Sequence, residues 1–194
     1  MVPQDTQEKQ LEKFKKLLLG WNETHNLISK GETQNLEEHI ADSLSVAHLL
    51  SKNILDLGSG NGFPGIPIAI TNPQKKVFLV ERKESKAAFL LNTCNQLGLM
   101  NTTVIKGDSS NLDPKDFPQP IDIVARAFGS SFEAIRAVNQ FLKNPKNQLK
   151  LMKTSSTKDF EALPKEYVVE KINEIFLKGK DKGRILVTIR TKDK

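Results

Sequence analysis

The stretch Asn53-Ile54-Leu55-Asp56-Leu57-Gly58-Ser59-Gly60-Asn61-Gly62-Phe63-Pro64-Gly65-Ile66-Pro67 decides the fold. Ile54, Leu55 and Leu57 form a short apolar run that stops at a glycine-rich turn, the pattern of a buried strand feeding a turn and then a helix. This is the opening of a nucleotide-type βαβ unit. Glycines at 58, 60 and 62 allow positive φ and leave no Cβ between main chain and ligand, so a cofactor can lie against the turn.

Two cofactor classes compete for such a turn. Gly60-Asn61-Gly62-Phe63-Pro64-Gly65 satisfies the G-x-G-x-x-G pattern of dinucleotide binding, and Glu81 stands near the distance at which a ribose-binding acid is expected. Asp56 argues the other way: a carboxylate facing the turn is badly placed beside a pyrophosphate and well placed for an ammonium group. Pro64 and Pro67 agree, because they remove N–H donors from the first turn of the helix where a pyrophosphate would bind. S-adenosylmethionine, with an ammonium, a sulfonium, a ribose diol and an adenine but no phosphate, fits these residues. A nicotinamide-dependent oxidoreductase is the rival reading.

The chain from Asp56 to Pro67, with His39-Ile40-Ala41-Asp42-Ser43 before it and Ala125-Arg126-Ala127-Phe128 after it, resembles the RsmG (GidB) family. That family consists of bacterial methyltransferases acting on guanine N7 of small-subunit (16S) ribosomal RNA. The resemblance runs from about Trp21 to Ile189 and is dense as far as Arg126. It implies S-adenosyl-L-methionine as cofactor and 16S rRNA or a small-subunit precursor as partner, in a seven-stranded, mostly parallel, Rossmann-like class I methyltransferase sheet behind a helical N-terminal cap. By the same resemblance Arg126 is tied to cofactor and substrate, Lys153 matches a family position, and Asn26, His39 and Lys153 are candidates for RNA, Lys153 through a phosphate. The chain departs from the family at Glu38, where an Arg is usual, at Asp108 (Arg) and Ser110 (an acid), at Thr154 (Gly) and at Ile185 (His). Methylation of another RNA or of a small molecule is the alternative.

Composition sets the outer bounds. With 194 residues, 38% hydrophobic and 27% charged, residues 1–194 are expected to form one domain, 1–50 as the helical cap and 51–194 as the cofactor-binding core. A net charge of +6 and a pI near 9.3 suit a polyanionic partner but also occur in Lys-rich chains without one. Cys94 is the only cysteine, so neither a disulfide framework nor a cysteine metal site is expected, and a reducing cytoplasm is the natural compartment. The charges spread through residues 1–20 exclude a membrane span or signal core there. A monomer is expected, and no metal.

Residues 5–21 read as an amphipathic helix with Asp5-x-x-Glu8 as a capping-box variant and Leu11, Phe14, Leu18 and Trp21 on one face. A second helix is expected from Leu36 to Leu50, capped by Asn35, with Trp21 to Leu27 as a polar loop between the two. His39 and Asp42 share a helical face, either as a hydrogen-bonded pair or as part of a substrate cleft. Strands then alternate with helices: Val77–Glu81, a helix from Ser85 to Leu97 that buries Ala87, Leu90, Leu91, Cys94 and Leu97 before Gly98, then Thr103–Ile105 and Ile121–Val124. A helix capped by Ser130-x-x-Glu133 carries Phe132, Ile135, Val138 and Phe141, and a fifth strand runs from Leu149 to Met152. Tyr167–Ile175 and Arg184–Ile189 make an antiparallel pair around the basic loop 178–183.

The candidate cofactor residues are therefore Asp56, Gly58, Gly60, Phe63, Glu81 at the end of its strand for the ribose hydroxyls, Asp108, Ser109 and Ser110 for the adenine edge, and Arg126. Arg82, Lys83 and Lys86 face either RNA or solvent. The segment after the fourth strand lacks the Asn/Asp, two prolines and aromatic of many amino-group methyltransferases. An acceptor such as guanine N7, whose in-plane lone pair is available at neutral pH, needs placement and no general base. Arg126 is the positioning residue in this reading; otherwise it is a buried ion-pair partner of Asp122 or Glu133.

Overall fold

The computed structural model describes residues 4–176 and 183–192. Helix α1 (Gln4–His25), the single turn α2 (Lys30–Thr33) and α3 (Leu36–Ser45) precede the sheet. The sheet is built from β1 (Asn53–Leu57), β2 (Lys76–Glu81), β3 (Thr102–Lys106), β4 (Asp122–Arg126), β5 (Gln148–Thr154), β6 (Tyr167–Ile175) and β7 (Arg184–Thr191). Helices α4 (Gly65–Thr71), α5 (Glu84–Leu97) and α6 (Ser131–Leu142) connect its parallel part.

The order is β3-β2-β1-β4-β5-β7-β6, with β7 antiparallel to both its neighbours. β1 lies between β2 and β4, both parallel to it, so the turn after Leu57 sits where the strand order reverses, the place at which open α/β sheets bind ligands. Alternation along the strands divides the core in two. Ile54, Leu79 and Val124 pack with Phe14, Leu18, Ile66, Phe89 and Leu90 on one face, while Leu55, Leu57, Ile123, Leu149 and Val187 pack with Ile135, Phe141 and Leu142 on the other. The helices before β1 thus cover the same face as α4 and α5.

Several boundaries differ from the sequence reading, each for a local reason. α1 continues through Trp21 to His25, because Trp21 has an aromatic neighbour in Phe89 of α5, with ring centroids 5.7 Å apart, and this packing carries the helix on into the expected loop. α3 stops at Ser45 and a 3-10 turn, Ala47–Leu49, replaces its last turn. Asn35 makes no cap; its amide donates to the Gly31 carbonyl at 2.9 Å. In α5 the inward position is Phe89, not Leu91, which is 54% exposed. The end of that helix is as read: Gly98 takes φ +64, its N–H donates to Asn95 O at 3.1 Å, and Leu99 N–H donates to Cys94 O at 3.0 Å. The capping box of α6 is complete, Ser130 N–H donating to Glu133 Oε2 at 2.7 Å and Glu133 N–H to Ser130 Oγ at 3.2 Å. Phe132 points outward beneath the Arg136 guanidinium, 5.9 Å from it, and Ala134 takes the buried place. Of the basic loop, residues 178–182 lie outside the described residues. Among the described residues no helix is long and apolar enough to cross a membrane.

Candidate active site

Asp56 and Gly65 shape the turn from beneath. Asp56 Oδ2 accepts the Gly65 N–H at 3.0 Å, and a Cβ on Gly65 would stand 2.3 Å from Leu79 and 2.5 Å from that carboxylate, so only glycine lets α4 start this close to the sheet. Burial pushes the Asp56 carboxyl up to about 7, and its Oδ1 is buried without a hydrogen-bond partner among the described residues. The side chain therefore clamps the turn and does not present itself to a ligand's ammonium group, as the sequence had suggested. The start of α4 is also closed to phosphate: Gly65 N–H goes to Asp56, Ile66 N–H to Gly62 O at 2.8 Å, and Pro67 has none.

Above the turn lies a cleft of about 480 Å³. Gly58, Glu81, Asp108 and Ser109 line it, whereas Asp56, Gly60, Phe63, Ser110 and Arg126 do not. Glu81, buried at the end of β2, accepts from Gly60 N–H at 2.9 Å and from Lys83 N–H at 2.7 Å, so one carboxylate ties the turn to the next loop and still faces the cleft. Asp108 caps a short 3-10 turn by accepting the Ser110 hydroxyl at 2.7 Å and the Ser110 N–H at 2.9 Å. The hydroxyl bond, aided by the backbone one, holds the Asp108 carboxyl below its ordinary value. Ser110 is thus engaged away from the cleft. Lys83 and Lys86, read as RNA-facing or solvated, belong to the cleft wall, and so does Phe128. Gly58 takes φ +71, and a Cβ there would stand 2.7 Å from the Phe128 ring.

A second cavity of about 460 Å³ opens beside the first, and Ala127, Phe128 and Gly129 line both. Positive φ at Ala127 (+53) and Gly129 (+57) folds this segment into an arch between them. On the far side of the arch Arg126 is held by α3 and by the glycine turn. Its Nη2 donates to His39 Nδ1 at 2.7 Å and its Nη1 to the His39 carbonyl at 3.3 Å, while its guanidinium lies 5.3 Å from the Phe63 ring centroid. Because a guanidinium only donates, His39 Nδ1 is the acceptor and the ring is fixed in the tautomer protonated at Nε2. Phe63 is buried against Phe14 and serves as a floor for Arg126.

Asp42 stands 3.6 Å from both Arg126 and Arg184, and Glu38 is 4.0 Å from Arg184, so α3 reaches the carboxyl edge of the sheet through alternating charges. The expected partners of Arg126 are engaged elsewhere: Asp122 pairs with the buried Lys150 at 2.9 Å and accepts Ser51 N–H at 2.7 Å, and Glu133 caps α6. Lys153, mostly buried, lines the second cavity and pairs with Asp159 at 3.0 Å. Ile185 is a buried part of the same wall. Asn26 is exposed at the end of α1 with φ +48 and lines neither cavity. Asp159 and Lys150 carried no signal in the sequence: the first sits in a short 3-10 turn without periodicity, and the second is a charge inside a strand.

The comparisons agree with this architecture. The family model described as rRNA small subunit methyltransferase G matches residues 7–187. "Ribosomal RNA small subunit methyltransferase G" of Nitrosomonas europaea is 36% identical over 185 residues, covering 92% of this chain and 85% of that one. The protein of the same name from Coxiella burnetii (strain Dugway 5J108-111) is 34% identical over 181 residues, covering 92% and 87%. Among solved structures, an rRNA methylase from Streptococcus thermophilus superposes with a TM-score of 0.52 at 19% identity, over 78% of this chain and 94% of that one. A variant of MtNAS in complex with S-adenosylmethionine reaches 0.62 at 13% identity, over 97% and 73%, and at these identities both show the fold alone. With the model spanning the glycine turn, the arch and the Arg126 strand together, the chain belongs to the rRNA small subunit methyltransferase G family.

Proposed function

We propose that this protein transfers the methyl group of S-adenosylmethionine to N7 of a guanine in small-subunit ribosomal RNA. The observation that carries this reading is the pair of adjoining cavities: a glycine-turn cleft without a phosphate cradle, and a second cavity edged by Arg126, Lys153 and Arg184, separated only by the arch 127–129. The first suits the cofactor. Its volume lies in the range of small-molecule sites, Glu81 supplies a carboxylate for the ribose diol, Asp108 and Ser109 edge the adenine end, and the bare backbone at Gly58 admits close approach. When bound, S-adenosylmethionine supplies an electrophilic methyl group on a sulfonium.

The residues of the chain then bind and place. Gly60 acts through its N–H on Glu81, Asp56 clamps the turn, and Phe63 supports Arg126, so these three shape the site from behind it. Arg126 positions the acceptor, held in one orientation by His39 and Asp42. No general base is assigned: His39 Nδ1 accepts from Arg126, and Asp42 lies between two guanidiniums. Lys153 faces the acceptor side, and Asn26 is left as an RNA contact outside both cavities. The protein works as a cytoplasmic monomer on rRNA, 1–50 capping the core formed by 51–194, with no membrane partner.

The test is ligand-dependent melting followed by transfer. S-adenosylmethionine and its demethylated product raise the melting temperature, by about 2.7 kcal/mol of stabilisation at a hundredfold excess over Kd, and labelled methyl appears in small-subunit rRNA. A shift with NAD and none with S-adenosylmethionine would overturn the assignment.

A further inference from the structure

The second cavity contains a built polar pair, of which Asp159 has no role in the function proposed above. Asp159 Oδ2 accepts the Ser131 N–H at 2.7 Å and Lys153 Nζ at 3.0 Å, and its Oδ1 accepts the Ser131 hydroxyl at 3.0 Å. Burial raises the Asp159 carboxyl, but the bonds from Ser131 and Lys153 outweigh it and hold the group below its ordinary value, so it is ionised. Among the described residues three acceptor positions are filled and one on Oδ1 stays open, with the side chain 31% exposed. Lys153 Nζ has Asp159 as its partner among the described residues, so two of its three N–H groups are available. Both residues line the cavity.

An ionised carboxylate beside an ammonium presents an acceptor next to a donor. The Watson–Crick edge of guanine is the complement: the 2-amino group and N1–H donate and O6 accepts. Adenine offers an acceptor at N1 and a donor at N6, the reverse order. An unpaired base entering the cavity can therefore be read on that edge, as single-stranded RNA commonly is. Resting on the function proposed above, we infer that Asp159 is the specificity-determining residue for guanine, accepting from the 2-amino side while Lys153 donates to O6. Held there, the base has its imidazole edge with N7 free of protein hydrogen bonds for the reaction. A mostly buried, ion-paired lysine suits this role better than a contact with an RNA phosphate.

The test is single-turnover transfer to small-subunit rRNA ligated with guanosine or inosine at the mapped acceptor, for the wild type, Asp159→Ala and Asp159→Asn. Inosine keeps N7 and O6 and lacks only the 2-amino group. The wild type is expected to be slower on inosine by about tenfold or more, the loss of one hydrogen bond to a charged group. Both variants are expected to lose at least about tenfold on guanosine and to treat the two bases within about twofold, with unchanged thermal shifts for S-adenosylmethionine. If Asp159→Ala fails to fold, Asp159→Asn decides: it keeps the size, and with its amide oxygen accepting the Ser131 N–H it puts an NH2 group, a donor, where Oδ1 offered its acceptor. A folded variant that retains the wild-type ratio overturns the inference. Should the wild type transfer nothing to small-subunit rRNA, the functional reading fails, and binding of GMP, IMP and AMP to protein saturated with S-adenosylhomocysteine decides the inference alone. A preference for GMP that Asp159→Ala abolishes upholds it, and equal affinities overturn it.

Discussion

Replacing Asp56 by asparagine separates the charge beneath the glycine turn from its geometry. The folded protein holds the Asp56 proton up to about pH 7, against 3.8 in an unfolded chain, because burial disfavours the anion. The native state therefore binds more protons than the unfolded one between those values. Stability from this group is fully present below about pH 4, declines as the pH rises, and levels off above about 7. At about 1.4 kcal/mol per pH unit the whole effect is on the order of 4 kcal/mol, and about 2 kcal/mol of it falls between pH 5.5 and 8. Asparagine keeps an acceptor for Gly65 N–H and removes the titration, but it places an amide where Oδ1 has no partner, at a cost of about 1 to 3 kcal/mol. Urea unfolding of both proteins at pH 5.5, 7 and 8 measures the difference. Relative to the variant, the wild type should lose about 2 kcal/mol from pH 5.5 to 8. A difference that stays constant across this range would refute the reasoning and show that Asp56 is ionised throughout.

Glu81→Ala removes the carboxylate that holds Gly60 and Lys83 and faces the cleft, and calorimetry should find S-adenosylmethionine affinity lowered by more than about tenfold. Arg126→Lys keeps the charge but cannot bond His39 Nδ1 and its carbonyl together while lying over Phe63, so single-turnover transfer should fall by more than about tenfold in a folded protein. Lys150→Met leaves Asp122 as an uncompensated buried charge in the centre of the sheet, and thermal or urea unfolding should show a loss of about 3 to 5 kcal/mol.

The start of the sheet was legible because β1, β2 and β3 are short apolar runs that end at glycine or an acid, and because the turn at Gly58 to Gly62 has one structural use. The cleft was legible through the strand ends: Glu81 and Asp108 follow directly from where β2 and β3 stop. Orientation was less so. Asp56 points under the turn because Gly65 brings a backbone N–H to it, a contact between residues nine apart that no periodicity marks. Leu91 and Phe132 satisfied a helical stripe, but Phe89 and Ala134 fill the sites facing the sheet. The ties of Arg126 to His39, 87 residues away, and of Lys150 to Asp122 arise from packing of distant elements. The Ser131–Asp159–Lys153 cluster depends on a 3-10 turn whose place is set by β5 and α6 together.

The central claim is tested most directly by incubating the purified protein with S-adenosylmethionine and unmethylated small-subunit rRNA, naked and as assembled subunit, and mapping the product by mass spectrometry and N7-specific strand cleavage. The account predicts a single N7-methylguanosine, formed at a rate that shows no titrating base between about pH 6 and 8.5 and lost in Arg126→Lys. Methyl on an exocyclic amine, or transfer that dies on acidification through the loss of a base at His39 or Asp42, would contradict it.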